Sequence, residues 1–243
     1  MAFAASALRF GLYDSSLWQP AALIALALCL ALVLWTRQPP SGLQAAALLG
    51  LAALWLWAYG SHWWGESADQ ALTEANRLAL YAAVFAVLLL LARRDDRISA
   101  PLLAALAGTV LVVLAWIVGR MLAGSGDELF LRTRLNDPIG YINGQANYLL
   151  LAFWPLVALA ERVHRPLRSG LAAAGASLVL GVTFMAQSRG SVLALVGSAA
   201  ILLLVVPGRR RRAWLVLLAA GSVAVALPWL ADVFRDTDAQ GLA

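Results

Sequence analysis

The sequence predicts an all-α fold, a polytopic membrane bundle of about eight transmembrane helices, and three observations predict it. Of 243 residues, 62% are hydrophobic and 13% charged, whereas soluble chains run about 45–50% apolar and 25% charged. The mean hydropathy is +0.79. The apolar runs are also continuous, as from Ala21 to Trp35; barrel strands would alternate apolar and polar, so helices are the spanning structure. Finally, polar and aromatic punctuation recurs at intervals that suit a bilayer.

Span one covers 17–36. Trp18 and Trp35 lie seventeen steps apart, roughly 26 Å along a helix, and form an aromatic belt at its two ends. The segment before it lacks the basic start of a signal peptide and reads as an outer loop or the remnant of a missing helix. After the turn at Arg37-Gln38-Pro39-Pro40-Ser41-Gly42, span two covers 43–59 and ends at His62, Trp63, Trp64 and Glu66. Span three, 72–92, ends at Arg93-Arg94-Asp95-Asp96-Arg97. Span four, 101–122, opens on Pro101, which the first turn of a helix tolerates. A polar loop follows, 124–138.

Span five, 141–163, begins with Tyr141, Asn143, Gln145 and Asn147, and Pro155 is expected to kink it. Spans six and seven, 170–186 and 190–206, form a hairpin turning at Gln187-Ser188-Arg189-Gly190-Ser191. Span eight covers 213–231 and a polar tail, 232–243, follows. Gly170, Gly175, Gly181, Gly190 and Gly197 recur at near-helical spacing and suit close helix approach. The whole reads as a single helical domain.

All the positive charges are Arg, and the net charge is +5. In a soluble chain that balance would suggest nucleic acid; in a membrane chain it sets orientation, so no nucleic-acid partner is expected. Loops after spans one, three, five and seven hold eleven of the 18 arginines. Those loops are therefore expected in the cytoplasm, with both termini outside. Parity needs the hairpin: one passage from 170 to 206 would carry Arg209 to Arg212 to the outer side. Cys29 is the one cysteine, so no intrachain disulfide forms, and no metal-ligand spacing exists.

Arg189 is the leading candidate for chemistry, because a charge at membrane depth costs at least ~2.5–3.5 kcal/mol unless it reaches water or a partner. With Ser188 as N-cap and Gly190 opening span seven, the helix N-terminus adds free N–H groups and partial positive charge beside a guanidinium. Two readings stand: an anion site at the outer interface, or a charge snorkelling to headgroups. The segment from Arg134 to Asn147 faces the same side. Asn143 and Asn147, one turn apart, and Tyr141 suit a hydroxyl-rich ligand such as a sugar, or else cap and bond helices. Arg120 is a second phosphate contact or a snorkelling end charge. His62 is an outer general base or an interfacial histidine, and His164 is a solvated residue among arginines.

At Arg134-Leu135, Pro138-Ile139-Gly140-Tyr141, Asn143, Pro155 and Ser188-Arg189-Gly190 the chain resembles the O-antigen ligase and polymerase family of bacterial inner-membrane glycosyltransferases. Arg9-Phe10-Gly11 to Trp18 is similar to the loop after that family's first helix. Members carry a proline-glycine-asparagine segment opening one span and a serine-arginine-glycine turn two spans later. The likeness covers most of the chain through short motifs in a matching order. It implies a GT-C-like membrane region and a role in lipopolysaccharide or other envelope polysaccharide synthesis. The donor is a glycan on undecaprenyl diphosphate, met at the periplasmic face within the membrane lipids. The acceptor is a glycan, a lipid A core or another hydroxyl, and no metal or cofactor takes part.

The resemblance implies that Arg189 contacts the diphosphate and stabilises the leaving group, and Tyr141 and Asn143 match the family's polar segment. The residues themselves add Ser188, Gly190, Asn147 and Arg120 as candidate substrate contacts. It also implies a large periplasmic loop after span eight, carrying a second arginine and a histidine base. The sequence runs twelve residues past Ala231, so an amino-terminal portion of such an enzyme, inactive alone, is the expectation. The alternatives are a transporter or flippase of an anionic solute or lipid-linked sugar, which needs a polar path between leaflets, and a non-catalytic scaffold.

Overall fold

The computed structural model describes residues 15–35, 40–94 and 96–240, with side chains over 18–35, 40–91 and 101–230. The expected outer segment through Asp14, with Arg9-Phe10-Gly11, lies outside the described residues, as do Arg37, Gln38, Pro39 and Asp95.

The chain is an all-α, multi-pass membrane protein. Its helices are α1 (Ser15–Trp35), α2 (Gly42–Gly60), α3 (Ala68–Arg94), α4 (Asp96–Leu122), α5 (Ile142–Leu150), α6 (Phe153–Arg162), α7 (Pro166–Met185), α8 (Arg189–Val205) and α9 (Arg209–Gln240). Among the described residues six of them, α1 to α4, α7 and α9, are long and apolar enough to cross a membrane. The apolar α8 is shorter, 17 residues, or roughly 25 Å of helix. Large apolar side chains stand exposed along these helices, including Leu23, Leu49, Trp57, Leu193, Leu204 and Trp229. On a membrane protein that surface meets acyl chains.

The described residues fall into two compact units, 15–101 and 102–240. In the first, α3 packs against both α1 and α2. Its buried side chains are mostly alanines, Ala22, Ala25, Ala75, Ala83 and Ala86, together with Trp18. Lipid tails are as apolar as leucine, so small residues that let backbones approach, rather than apolar burial, hold such helices together. The Arg77 guanidinium lies 5.6 Å from the Trp18 ring centroid and pairs with Glu74 at 2.9 Å.

In the second unit α7 is central, packing on α5, α6 and α9. The core gathers Val110, Val113, Leu114 and Ile117 from α4, Leu149 and Phe153 around the α5–α6 break, and Val179 and Val182 from α7. The expected kinked span five is two helices instead. Pro155 has no N–H to give the carbonyl four residues back and crowds it, so α5 stops at Leu150 and α6 restarts at Phe153, with Pro155 in its first turn. The loop expected at 124–138 holds a small antiparallel ribbon, β1 (Phe130–Leu131) with β2 (Arg134–Leu135), anchored by buried Leu129 and Leu135. The expected polar tail after Ala231 continues as helix to Gln240, since no glycine or proline intervenes. The glycine stripe is only partly a contact surface. A Cβ on Gly175 would meet Leu156 at 3.5 Å and one on Gly181 would meet Val223 at 3.9 Å, whereas Gly170, Gly190 and Gly197 face open space.

The hairpin between α7 and α8 is present, and the opposite ends of both helices are fixed by arginines. Arg212 is buried. Its Nε and Nη2 donate to the Glu161 carboxylate, each at 3.1 Å, and its Nη1 donates to Leu202 O at 2.8 Å. Arg211 donates to Ala160 O at 3.0 Å. Gly208, at φ +85°, closes the turn, and a Cβ there would sit 3.0 Å from Glu161 Oε1. Removing one partner of a buried pair typically costs about 3–5 kcal/mol. Arg212→Ala and Glu161→Ala are therefore each expected to lower the thermal unfolding midpoint in detergent by several degrees, while Arg210→Ala, at an exposed position, leaves it within error.

Candidate functional site

The α7–α8 turn is built by capping at both of its ends. Helix α7 has no basic residue in its last turn, yet its final carbonyls need donors. Arg134, on β2, supplies them: Nε donates to Ala186 O at 3.3 Å and Nη2 to Gln187 O at 2.8 Å. Gln187 sits at φ +49° and returns a bond from Nε2 to Thr133 O at 3.1 Å. The ribbon and the turn are thus clamped reciprocally, although more than fifty residues separate them in sequence.

Across the turn, Ser188 caps α8. Its Oγ accepts from the Ser191 N–H at 3.3 Å, as serine at an N-cap should. The Ser191 hydroxyl, buried, donates to Asn147 Oδ1 at 2.8 Å and lies 2.9 Å from Ser188 Oγ. Asn147 therefore joins α5 to the N-terminus of α8. The Arg189 and Gly190 N–H groups, at the first two helical positions, are left without partners among the described residues. The Arg189 side chain is exposed and makes no hydrogen bond or ion pair among the described residues. An added Cβ at Gly190 would meet nothing within 4 Å, so the space beside the guanidinium is open.

The start of α5 carries the remaining polar groups. Tyr141 is its N-cap residue, is exposed, and accepts at its hydroxyl from Asn143 Nδ2 at 3.2 Å. Gly144 makes this possible, because a Cβ there would lie 3.0 Å from the Tyr141 ring. Gln145 points the other way. It is fully buried, and its Oε1 accepts from the Ile139 N–H at 3.3 Å, pinning the Pro138–Tyr141 turn to the helix.

So two hydrogen-bonded groups, Arg134 with Gln187 and Asn147 with Ser191 and Ser188, meet at the Gln187–Ser188 peptide, with Arg189 and Gly190 at their open edge. Tyr141 and Asn143 form a second exposed pair at the start of the same α5. Arg120 belongs elsewhere. Its Nε donates to Ser125 Oγ at 2.8 Å, its Nη2 pairs with Glu128, and its guanidinium lies 5.5 Å from the Trp116 centroid. Its charge is already answered within its own loop. His62 lies in the other unit, with Nδ1 bonded to Tyr59 O and its ring 4.5 Å from that of Trp63, the arrangement of an interfacial histidine.

Scans against protein-family models, curated proteins and solved structures found no match for this chain.

Two features escaped the sequence reading. One is the clamp by Arg134, whose only signal is a cation in a loop that must sit near a helix C-terminus lacking one. The other is Ser191, which reads as an ordinary small helix residue and instead carries the link to Asn147. Arg134→Ala would strip two charge-assisted hydrogen bonds from the turn, each worth about 1.5–3 kcal/mol. Amide exchange across residues 186–191 is expected to accelerate at least roughly tenfold, with the middle of α7 unchanged. Equal exchange in variant and parent would show that the turn holds itself.

Proposed function

We propose that the Ser188-Arg189-Gly190 turn binds the diphosphate of a lipid-linked glycan. In this reading the protein is a bacterial inner-membrane glycan ligase or polymerase of the O-antigen type, working at the periplasmic face. The observation that carries it is an exposed guanidinium, unpaired among the described residues, at the first position of a helix whose first two N–H groups also lack partners among them, held in a turn tied to the ribbon and to α5. Helix end and guanidinium favour the same ligand, an anion with several oxygens. Asn147, Asn143 and Tyr141 offer amide and phenol groups for sugar hydroxyls. The order of motifs resembling that glycosyltransferase family selects a glycan diphosphate among possible anions.

The chemistry follows from where charge develops. An acceptor hydroxyl attacks the anomeric carbon and gives up its proton to water, the bond from that carbon to the diphosphate oxygen breaks, and the lipid diphosphate departs with the bonding pair. Donors already aimed at that oxygen stabilise the transition state more than the ground state, because the negative charge grows as the bond breaks. This turn supplies the leaving-group side of the reaction.

A transporter or flippase would need polar groups along the spans. Between the two ends of the second unit the buried side chains are predominantly apolar, Val113, Leu114, Phe153, Val157 and Val179 among them, which favours the transferase reading.

Loss of one such donor typically costs about 10²–10³ in rate. Arg189→Ala is expected to reduce transfer of a lipid-linked glycan by that order, with Arg189→Lys recovering part of it because charge persists without the fork. Undiminished transfer by Arg189→Ala would remove the residue from the mechanism. Orientation has its own test. In a Cys29→Ala background, a cysteine placed at Gly190 should react with a membrane-impermeant maleimide added outside, and one placed at His164 should not. The reverse pattern would invert the topology.

A further inference from the structure

We infer that the end of the second unit remote from the Ser188 turn is a docking surface for anionic phospholipid headgroups. Residues 161–169 and 206–212 carry seven arginines and one acid, Glu161. The structure divides these cations into two groups. Arg211, though exposed, and the buried Arg212 are engaged within the fold, where they close the carbonyl ends of α6 and α8, and Arg212 consumes the Glu161 carboxylate. Arg162, Arg165, Arg168, Arg209 and Arg210 stand exposed, and none has a side-chain hydrogen bond or ion pair among the described residues. The one acid of these two segments is already paired, so the outward five have no counter-charge within them.

The engaged pair also brings the outward five together. Arg211 Nη2 lies 3.5 Å from Ser169 Oγ, and Ser169 Oγ donates to Ala160 O at 2.8 Å. That ties the start of α9, the start of α7 and the end of α6 into one place. The grouping is unfavourable by itself, since like charges crowd together and cations sit at the starts of α7 and α9, where helix dipoles disfavour them. A neutralising layer of phosphates relieves both.

Apolar anchors beside the cations select a lipid over a soluble polyanion. Trp214 is 73% exposed and lies one turn beyond Arg210 on the same face of α9. Leu171, 64% exposed, stands in the same relation to Arg168 on α7. Arg210 and Arg168 are therefore each one helical turn from a side chain that faces acyl tails, which is headgroup depth. A basic cluster immediately flanking membrane spans is the chemistry that recognises anionic headgroups.

The inference differs from a purely topological role, in which the arginines act only during insertion. The test uses purified protein in detergent, where insertion is already complete. Native mass spectrometry would count retained phosphatidylglycerol against phosphatidylcholine of the same chains. The parent should retain the anionic lipid preferentially. A variant carrying Arg165→Gln, Arg168→Gln, Arg209→Gln and Arg210→Gln should lose that preference, at roughly fivefold per arginine, while the matching lysine variant keeps it. The pair Arg209→Gln and Arg210→Gln alone should show an intermediate loss, should the fourfold variant fail to fold. Equal retention of the two lipids by the parent, or unchanged retention by either glutamine variant, would overturn the assignment. Displacement of the lipid by millimolar inorganic phosphate alone would also overturn it, because the acyl chains would then contribute nothing.

Discussion

Helix ends are where a membrane protein meets its hardest constraint. The last carbonyls of an α-helix have no partner within the helix, and near lipid they cannot rely on water. In the second unit three helix C-termini are each closed by an arginine from outside the helix, two of them from more than fifty residues away and one from the helix that follows. Arg134 serves α7, Arg211 serves α6 and Arg212 serves α8. Neither α7 nor α8 carries a basic residue in its own last turn. The caps therefore come from tertiary structure, and the short loops between α6, α7, α8 and α9 depend on them.

This has an electrostatic consequence at the α7–α8 turn. The carbonyl end of α7 is neutralised by Arg134, as a helix C-terminus favours. The amide end of α8, a few residues on, receives a second positive charge, Arg189, and no acid among the described residues pairs with it. A cation at a helix N-terminus is disfavoured by roughly 0.3–1 kcal/mol, so the turn is better satisfied with an anion present than without one. Folding alone does not ask for that charge, because Ser188 already caps the helix.

Much of the architecture was legible because lipid imposes it. Continuous apolar runs gave the long helices, and charge parity required residues 170–206 to turn back on themselves. The break near Pro155 was visible as a kink, but its extent was not, since losing one donor can bend a helix or divide it according to what packs around it. At the site, Ser188 as N-cap followed from residue type and position. The Arg134 clamp and the Ser191–Asn147 bond did not, as each joins residues 44 to 53 apart and depends on how helices settle. The run Arg209 to Arg212 shows the limit most clearly. Four identical neighbours read as one orientation signal, yet hydrogen bonding separates two structural caps, Arg211 and Arg212, from two surface charges unpaired among the described residues.

The holding of α8 joins these observations. Ser191 is its one buried residue, and much of its apolar surface faces outward, as at Leu193, Val196, Ile201 and Leu204. Apolar burial cannot fix such a helix in lipid, where no hydrophobic drive separates tail from side chain. Polar ties do so instead, at three levels along its length. Ser191 bonds Asn147 near the start, Ser198 accepts from Trp154 Nε1 at 3.0 Å in the middle, and Leu202 O accepts from Arg212 near the end. Each tie is directional, so together they set the rotation and the depth of α8. The depth of α8 is the depth of Arg189. A guanidinium that must meet a phosphate at the membrane boundary gains from a rod whose position is set by hydrogen bonds, because loose packing against lipid would let it slide.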